Sequence, residues 1–531
     1  MISIPGLLQR SARLNPDAVA TRYNGRSRHW PQVLDRVASF AGALDRLQLG
    51  EAERVAILSL NSDNYFEAIF AVPWAGYCMV PLNTRWAVAE NNYALTDSGT
   101  QVLLFDDAFS AQAEQLKSEV ESLEHVIYMG DGETPNWAKS YESLIADNQT
   151  IAPSTRNGAD MAGIFYTGGT TGFPKGVMQS HQAIWASAIG GMGGMEIDSN
   201  GSYLHTAPMF HMADFACSMM TVLAGASHIF VAGFEPALVL NIIAEEKISH
   251  VLMVPAMIKM ALAHENAATA DLSSLQRILY GASPMPAALL TQAMDLWPTV
   301  GFIQAYGQTE LAPLVTMLST EVHRRGGEIL KSAGKPLSVS EIKLLNDAGD
   351  EVDLGKQGEV VVRGPHAMIG YWNKPEETAS ALQDGWVFTG DAGIFDKEGY
   401  LYIVDRVKDM VVTGGENVFT TEVENALISH AAVQDVAVIG VPHEEWGEAV
   451  HGIVILAAGA TATEQELIEH CRSAIAGYKC PKTVEFRDQP MPLSGAGKVL
   501  KTELRSFQHL TCTRQRHRLI SKLHCFWTLI T

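Results

Sequence analysis

The sequence is poor in cysteine and in basic residues. Its 531 residues include 6 cysteines, which are scattered and form no CxxC pair. This pattern argues against a disulfide scaffold and against a cysteine zinc site. Lys and Arg number 38 against 59 Asp and Glu, so the net charge is −21. We do not expect binding to nucleic acid over a broad face, because that needs a basic surface.

A membrane-targeting segment is also missing from the pattern. The N-terminal residues show no basic region followed by an apolar core, so no signal peptide is expected. Residues 215–234 are free of formal charge and have the length of a membrane span, but they contain serine, threonine, histidine and glycine. We interpret them as a buried helix, a glycine turn and a buried strand. With the scattered cysteines, these features predict a cytoplasmic protein without an integral membrane span.

The hydrophobic pattern predicts an α/β fold. Up to about residue 340, short apolar strands alternate with helical segments, which is typical of buried parallel sheets. From Glu341 the strands are closely spaced and indicate an antiparallel module. After Asp405 a compact α+β segment follows, with a predicted helix from Glu422 to Ser429 and Thr421 and Glu424 at the spacing of a capping box. The last 26 residues carry a charge of +4 and are expected to be an unstructured tail.

The strongest chemical signal is the segment 166–177, YTGGTTGFPKGV, after an apolar stretch. Its glycines allow tight turns that point several backbone N–H groups at one anion, and its threonines add hydroxyl donors. Lys175 adds a positive charge but stands between Pro174 and Gly176, so this is not a Walker A loop. The phosphate-contacting residues predicted here are Thr167, Gly168, Gly169, Thr170, Thr171, Gly172 and Lys175.

This segment resembles the phosphate loop of the adenylate-forming superfamily, which includes acyl- and aryl-CoA synthetases. Further motifs of that superfamily follow in order: QAYGQTE at 304–310, TGD at 389–391, DRVKD at 405–409, GGENV at 414–418 and PLSGAGKV at 492–499. The resemblance covers about residues 10 to 505. It implies a large N-terminal domain with two α/β sheet layers and a β-barrel-like module, and a small mobile α+β C-terminal domain. The domains expected are 1–405, 406–505 and the tail 506–531.

The resemblance also implies how ATP and Mg²⁺ are bound. Glu310 and Thr167 support the metal, which usually needs only one or two carboxylates beside nucleotide phosphates. Besides the phosphate loop and Lys498, the implied ATP contacts are Gly281, Ala282, Ser283, Gln304, Ala305, Tyr306, Gly307, Thr309, Asp391 and Arg406. Taken alone, Tyr306 also fits a core tyrosine, Glu310 an exposed acid, and Arg406 an ion pair with Asp405 or Asp409.

The remaining roles implied by the resemblance concern the reaction itself. Lys498 bridges the reacting carboxylate and the α-phosphate, and a cation there would stabilise developing charge. His211, which alone also fits a core histidine, gates the carboxylate against the nucleotide. Lys408 is the hinge between the domains. The loop of the second half-reaction contains Gly414, Gly415, Glu416 and Asn417, and the acyl pocket contains His211, Phe215, Gly281, Ala282 and Ala305.

The function these features predict is an ATP-dependent acid–CoA ligase, an acid–thiol ligase that acts through an acyl-AMP intermediate. The resemblance implies that the acyl pocket draws on residues 211–215, 254–258, 281–283 and those around Ala305 and Leu311. No Arg or Lys falls in these pocket segments, so a second carboxylate on the substrate is disfavoured. A medium- or long-chain fatty acid is the expected substrate. A benzoate- or cinnamate-type acid is the alternative, as is adenylation for a non-CoA acceptor. A nucleotide sensor without chemistry is the competing class, against which the retained Lys498 and Glu310 count. The expected partners are the acid, ATP and CoA, and a homodimer is left open.

Overall fold

The computed structural model describes residues 2–167, 174–406, 409–413, 416–443, 446–493 and 499–505. These residues divide into two compact units. The first contains those within Met1–Lys356, Val360–Thr389 and Phe395–Tyr402. The second contains those within Gln357–Glu359, Gly390–Ile394 and Ile403–Thr531. The predicted boundary between residues 405 and 406 stays a prediction.

Most helices of the described residues bury one apolar face, as amphipathic patterning requires. Numbered in chain order, they are α1 (Ile4–Leu14), α2 (Trp30–Asp45), α3 (Asp63–Trp74), α4 (Val88–Ser98), α5 (Ser110–Glu119), α6 (Tyr141–Ala146), α7 (His181–Met195), α8 (Met212–Ala224), α9 (Pro236–Glu245), α10 (Pro255–Ala263), α11 (Ala287–Leu296), α12 (Thr320–Arg325), α13 (Pro375–Ala381), α14 (Thr420–Ile428) and α15 (Glu464–Ala474). Short 3-10 helices cover Asp107–Phe109, Thr309–Leu311 and Glu328–Lys331.

The first unit contains a nine-stranded sheet with a parallel centre and antiparallel edges. Its short central strands are almost wholly buried, as expected for parallel strands covered on both faces. With strands numbered in chain order, the spatial order is β16 (Lys335–Pro336), β15 (Leu314–Leu318), β14 (Gly301–Gly307), β13 (Arg277–Gly281), β12 (His250–Leu252), β10 (Ser202–His205), β11 (Ser227–Phe230), β1 (Val19–Tyr23) and β2 (Arg26–His29).

An eight-stranded sheet forms the second layer of this unit, and it too is parallel except at one edge. The order is β19 (Gly370–Tyr371), β9 (Lys175–Ser180), β8 (Met161–Thr167), β4 (Cys78–Pro81), β3 (Arg54–Leu58), β5 (Val102–Phe105), β6 (His125–Tyr128) and β7 (Lys139–Ser140). Together the sheets are the two predicted α/β layers.

Two five-stranded sheets complete the described fold. The first has the order β17 (Glu341–Leu345), β18 (Gln357–Arg363), β21 (Trp386–Phe395) and β20 (Leu382–Gln383), with β22 (Leu401–Arg406) also beside β21. It corresponds to the predicted barrel-like module. The second has the order β24 (Glu416–Val418), β23 (Val411–Thr413), β26 (Gly447–Leu456) and β25 (Val433–His443), with β27 (Thr483–Phe486) beside β26. This sheet and helices α14 and α15 form the predicted small α+β domain.

The uncharged stretch 215–234 is a buried helix, turn and strand, as predicted. It contains most of α8, the left-handed Gly225 that ends this helix, and β11. A glycine is favoured at that position because the backbone φ is +74°, a value that residues with a Cβ atom rarely adopt. Among the described residues, no helix has both the length and the apolar character that crossing a membrane requires.

The predicted capping box at Thr421 and Glu424 is wrong. Helix α14 begins at Thr420, and its N-cap Phe419 makes no side-chain capping bond. Glu424 instead accepts a hydrogen bond from the Val438 N–H at 2.8 Å and pairs with Lys501 at 2.7 Å. Burial raises the pKa of Glu424, and the Lys501 ammonium opposes that rise. The Glu424 carboxylate therefore binds Lys501 and the Val438 N–H instead of capping the N-terminus of α14.

His323 on α12 links acidity to the stability of the first unit. It is 1% exposed, its Nδ1 lies 2.8 Å from the Ser319 carbonyl oxygen, and its Nε2 lies 2.7 Å from the Tyr280 hydroxyl. With Nδ1–H donating to the carbonyl, Nε2 accepts from the tyrosine and the neutral ring is satisfied. Burial lowers the pKa of His323 to about 4. The unfolded chain therefore takes up this proton at higher pH than the folded protein does.

We predict that His323→Gln reduces the pH dependence of stability in acid. The contribution of a neutral buried histidine is present above pH ~6.5 and is lost as pH falls towards the folded pKa. The slope of unfolding free energy against pH between these limits should drop by about 1.4 kcal/mol per pH unit, one proton's worth. Urea unfolding at several pH values measures this slope, with His29→Gln as the same substitution at an exposed position. An unchanged slope for His323→Gln would contradict a neutral histidine in the fold.

Candidate active site

The predicted phosphate loop connects two paired strands of the eight-stranded sheet. Strand β8 ends at Thr167 and β9 begins at Lys175, and these two residues are opposite each other in the antiparallel register. The Thr167 hydroxyl lies 3.5 Å from the Lys175 carbonyl oxygen. The predicted contacts between them (Gly168, Gly169, Thr170, Thr171 and Gly172) lie outside the described residues. The structure therefore fixes both ends of the loop at one place.

Glu310 lies in the 3-10 helix that follows β14, and a separate chain segment holds it. The Tyr371 hydroxyl donates to Glu310 Oε1 at 2.8 Å, and the Met368 N–H donates to the Glu310 carbonyl oxygen at 2.8 Å. The Lys175 ammonium lies 4.9 Å from the centre of the Tyr371 ring. The phosphate-loop lysine and the predicted metal carboxylate are thus joined through one tyrosine.

A second link joins the two sheets at the same place. Gln179 on β9 donates from Nε2 to the Thr309 carbonyl oxygen at 2.5 Å, which ties the eight-stranded sheet to the end of β14. The buried Oε1 atoms of Gln179 and Gln304 have no hydrogen-bond partner within the described part of the chain. Buried polar atoms are normally satisfied. Each of these two acceptors therefore needs a donor from outside the described residues.

The segments predicted to contact adenine lie side by side. Gly281 ends β13 and is in register with Ala305 of β14, the strand that also contains the predicted Gln304, Tyr306 and Gly307. A Cβ atom added to Gly281 would overlap the Ala305 carbonyl oxygen. Ala282 then leaves the strand with φ of +64°, and Ser283 follows half-buried. Close strand approach therefore explains why position 281 is a glycine.

His211 and Phe215 lie at the start of α8. His211 is the N-cap, and its Nδ1 accepts a hydrogen bond from the Ala213 N–H at 3.2 Å. Phe215 is buried and packs edge-on against Phe165 of β8, with ring centres 5.2 Å apart. Because Phe165 is two residues before Thr167, the predicted acyl-pocket residues adjoin the strand that leads into the phosphate loop.

Asp214, the one charged residue of the predicted pocket segments, faces the core. Its two oxygens contact the Tyr203 hydroxyl at 2.8 Å and His205 Nδ1 at 2.7 Å, and His205 Nε2 lies 3.0 Å from His228 Nδ1. All four side chains are fully buried. Burial, followed by the neighbouring His205, lowers the pKa of His228 well below its usual range. The carboxylate is thus used in an internal network.

Two of the predicted ATP contacts, Asp391 and Arg406, lie in the second unit. Arg406 Nε is 3.0 Å from Asp391 Oδ1, and Asp391 is buried. Both sequence neighbours considered as partners of Arg406 have other contacts: Asp405 accepts from the backbone and hydroxyl of Thr420, and Asp409 pairs with Arg505 at 3.0 Å. Asp405 also accepts a hydrogen bond from the Arg406 N–H at 2.7 Å.

Four predicted site residues lie outside the described residues. They are the hinge Lys408, Gly414 and Gly415 of the loop of the second half-reaction, and Lys498. Of the same loop, Glu416 and Asn417 begin β24, where they pair with Thr413 and Val412. Their predicted roles stay predictions.

Sequence reasoning missed Tyr371 and Gln179. Neither lies in a motif that was used, and each acts on a residue distant in sequence. The signal available for Tyr371 was the aromatic pair Tyr371–Trp372 after Gly370, in a segment to which no element was assigned. Its contact with Glu310 spans 61 residues and could not be read from local spacing.

Glu310 and Thr167 fit the expected Mg²⁺ by their chemistry. Among the described residues, no group of three or more His, Cys, Asp or Glu is arranged to hold a metal ion. A site with one carboxylate, one hydroxyl and nucleotide phosphates suits Mg²⁺, which is rarely held by a cage made only of protein groups. Glu310 Oε1 accepts from Tyr371, and a carboxylate has further lone pairs for a cation.

Two family models match this chain. Residues 8–372 match the AMP-binding enzyme model and residues 422–498 match the model of the AMP-binding enzyme C-terminal domain. The chain belongs to the AMP-binding enzyme family. The predicted α/β fold with a large N-terminal and a smaller C-terminal domain is confirmed, and so is the prediction of an adenylate-forming acid–thiol ligase. The movement of the smaller domain stays a prediction.

Individual relatives differ in the acids they are named for. The chain is 37% identical to a feruloyl-CoA synthase of an Amycolatopsis species, covering 93% of this chain and 97% of the relative. It is 36% identical to the medium/long-chain-fatty-acid–CoA ligase FadD8 of Mycobacterium tuberculosis, covering 90% and 85%. Its fold is similar to the anthranilate CoA ligase AuaEII in complex with anthranoyl-AMP, with a TM-score of 0.88 and 27% identity over 96% of this chain and 98% of that one.

We predict that Gly281→Ala weakens nucleotide binding by tenfold or more. The added methyl group cannot be accommodated without separating the ends of β13 and β14, since the atom it meets is backbone. Calorimetric titration of the purified protein with AMP measures the effect. Gly193→Ala is the matched control, because a Cβ there meets nothing within 4 Å and helix α7 should gain stability. Equal AMP affinity in both variants would show that this strand end is not part of the nucleotide site.

Proposed function

We propose that this protein joins an apolar monocarboxylic acid to CoA in two steps, through an acyl-AMP intermediate. The observation that carries the proposal is the meeting of Thr167, Lys175 and Glu310 in the first unit, next to the strand ends at Gly281 and Ala305. An anion-binding loop beside a metal carboxylate would suit a nucleoside triphosphate bound with its divalent cation, which supports the proposal.

In the first step the substrate carboxylate attacks the α-phosphorus of ATP, and the bond to the β-phosphate breaks to release pyrophosphate. We assign Lys498 to the charge that develops at phosphorus, because a positioned cation there stabilises the transition state. Asp391 and Arg406 would bind the ribose. Glu310 and Thr167 would hold Mg²⁺, which neutralises phosphate charge when bound.

In the second step the CoA thiolate attacks the acyl carbon of the mixed anhydride, and AMP leaves. We propose that the small domain turns about Lys408 between the steps and that the loop Gly414–Asn417 serves the second one. Such a change would let one site use different groups in succession.

A reducing cytoplasm is the compartment we propose for this reaction. The described part of the chain contains four buried free thiols, which are in keeping with it: Cys78, Cys217, Cys471 and Cys480.

The pocket chemistry supports an acid with one carboxylate. The predicted pocket segments contain no Arg or Lys, and Asp214 is turned into the core network. A second carboxylate on the substrate would therefore lack a cationic partner there. A medium- or long-chain fatty acid satisfies this chemistry, and the similarity to FadD8 supports it.

An aromatic acid is the second candidate. Phe215 of the predicted pocket packs edge-on against Phe165, so an aromatic acid beside it would meet an aromatic environment, in which planar rings pack well. The similarity to a feruloyl-CoA synthase supports a hydroxycinnamate-type acid. Adenylation for a nucleophile other than CoA is the remaining alternative.

A screen for AMP release separates these candidates. The purified protein is supplied with ATP, Mg²⁺ and either saturated fatty acids of increasing length or benzoates and hydroxycinnamates, each with and without CoA. We expect AMP release that requires both CoA and an apolar acid, and the preferred series identifies the substrate class. Release that ignores CoA would indicate another acceptor. Absence of ATP–pyrophosphate exchange with every acid would favour a nucleotide sensor.

Lys498→Ala should separate the two half-reactions. Loss of the cation should slow acyl-AMP formation by at least a hundredfold, comparable to removing one transition-state donor. Thioester formation from supplied acyl-AMP and CoA should continue at close to the wild-type rate. Rapid-quench assays of each half-reaction measure this difference. Equal losses in both halves would contradict the role assigned to Lys498.

A further inference from the structure

We propose that Tyr371 is a positioning residue that orients the Glu310 carboxylate for the divalent cation. This inference rests on the proposed function, which assigns Glu310 to the metal. It is carried by the hydrogen bond from the Tyr371 hydroxyl to Glu310 Oε1 at 2.8 Å. A glutamate has several rotatable bonds, and fixing them in the absence of a partner costs conformational entropy. A hydrogen bond that already fixes the Glu310 side chain before the cation binds reduces the conformational entropy lost on binding.

Tyr371 is itself held from several directions. Its side chain is largely buried, and its N–H donates to Thr378 Oγ1 at 2.9 Å. Its backbone lies in β19, in register with Val177 of β9. The segment that carries Tyr371 also fixes the Glu310 backbone through the Met368 N–H. The tyrosine therefore has a rigid position from which to direct a flexible carboxylate.

The ring of Tyr371 has a second contact that the hydroxyl does not share. The Lys175 ammonium lies 4.9 Å from the ring centre, within the range of a cation–π interaction. Replacing tyrosine by phenylalanine removes the hydroxyl and keeps the ring. The substitution therefore isolates the contact with Glu310 from the contact with the phosphate-loop lysine.

Tyr371→Phe should weaken the effect of Mg²⁺ on nucleotide binding. The probe is α,β-methylene-ATP, titrated calorimetrically into the full chain once in Mg²⁺ and once in EDTA. Loss of a group that orients a metal ligand typically costs 10–100-fold in metal affinity. We expect the Mg²⁺-dependent gain in affinity to fall by about tenfold or more, and the affinity in EDTA to stay at the wild-type value. An unchanged Mg²⁺-dependent gain would overturn the inference.

Tyr141→Phe is the matched control. Its hydroxyl donates to Glu67 Oε2 at 3.0 Å, so it forms a second tyrosine–glutamate pair in the same unit, here buried and with Arg36 on the carboxylate instead of a metal. Loss of that bond should lower the unfolding temperature and leave the Mg²⁺-dependent gain unchanged. A gain lowered equally in both variants would show a general effect of destabilisation and would overturn the specific role of Tyr371.

Glu310→Gln separates the failure of this inference from that of the proposed function. If Glu310 serves the metal, Glu310→Gln abolishes most of the Mg²⁺-dependent gain, and adding Tyr371→Phe to it has no further effect. If Glu310→Gln leaves the gain intact, the metal role in the proposed function is wrong. If Glu310→Gln removes the gain but Tyr371→Phe does not, only the positioning role is wrong. A further loss in the double variant would mean that Tyr371 acts by another route.

Discussion

The hydrogen bonds at the ends of β9 and β14 hold together the residues that we propose bind phosphate and metal. Gln179 joins these strands through the Thr309 carbonyl, and Tyr371 joins them again through Glu310 and Lys175. The strands belong to different sheets, so each sheet brings groups that the other lacks. The eight-stranded sheet supplies the loop ends and the lysine, and the nine-stranded sheet supplies the carboxylate. We propose that a metal–triphosphate is bound by groups from both sheets.

The net charge of −21 is compatible with a polyanion site because local contacts decide the charge at the loop. Elsewhere in the first unit, arginines are neutralised by carboxylates, as where Arg26 and Arg28 both contact the buried Asp63. Lys175 instead rests on an aromatic ring, which attracts the ammonium without cancelling its charge. The contact with the ring leaves the positive charge of Lys175 able to attract a phosphate oxygen.

Local sequence signals predicted those parts of the site that are contiguous in the chain. The apolar stretch before the glycine–threonine loop corresponds to β8, and the short apolar run before Gly281 corresponds to β13, whereas no strand was predicted at β9. Tyr371 could not be found in this way, because its partner Glu310 is 61 residues away. Glu424 fits a capping box locally, but Lys501 and Val438 claim its carboxylate in the fold. Where residues distant in sequence bind a polar side chain, local spacing predicts the partners of that side chain poorly.

The contrast between local motifs and contacts of distant residues also explains why the reaction is easier to predict than the acid substrate. Phosphoryl chemistry depends on charged and hydroxyl groups, which a sequence displays directly. An apolar pocket distinguishes acids by shape, and one methylene group changes the binding free energy by only about 1–3 kcal/mol. We propose that its walls include Phe215, Ala305 and the backbone near Gly281, whose spacing depends on how β13, β14 and α8 pack. Relatives at nearly equal identity, 37% and 36%, are accordingly named for feruloyl-CoA and for medium/long-chain fatty acids, so overall similarity does not select the acid.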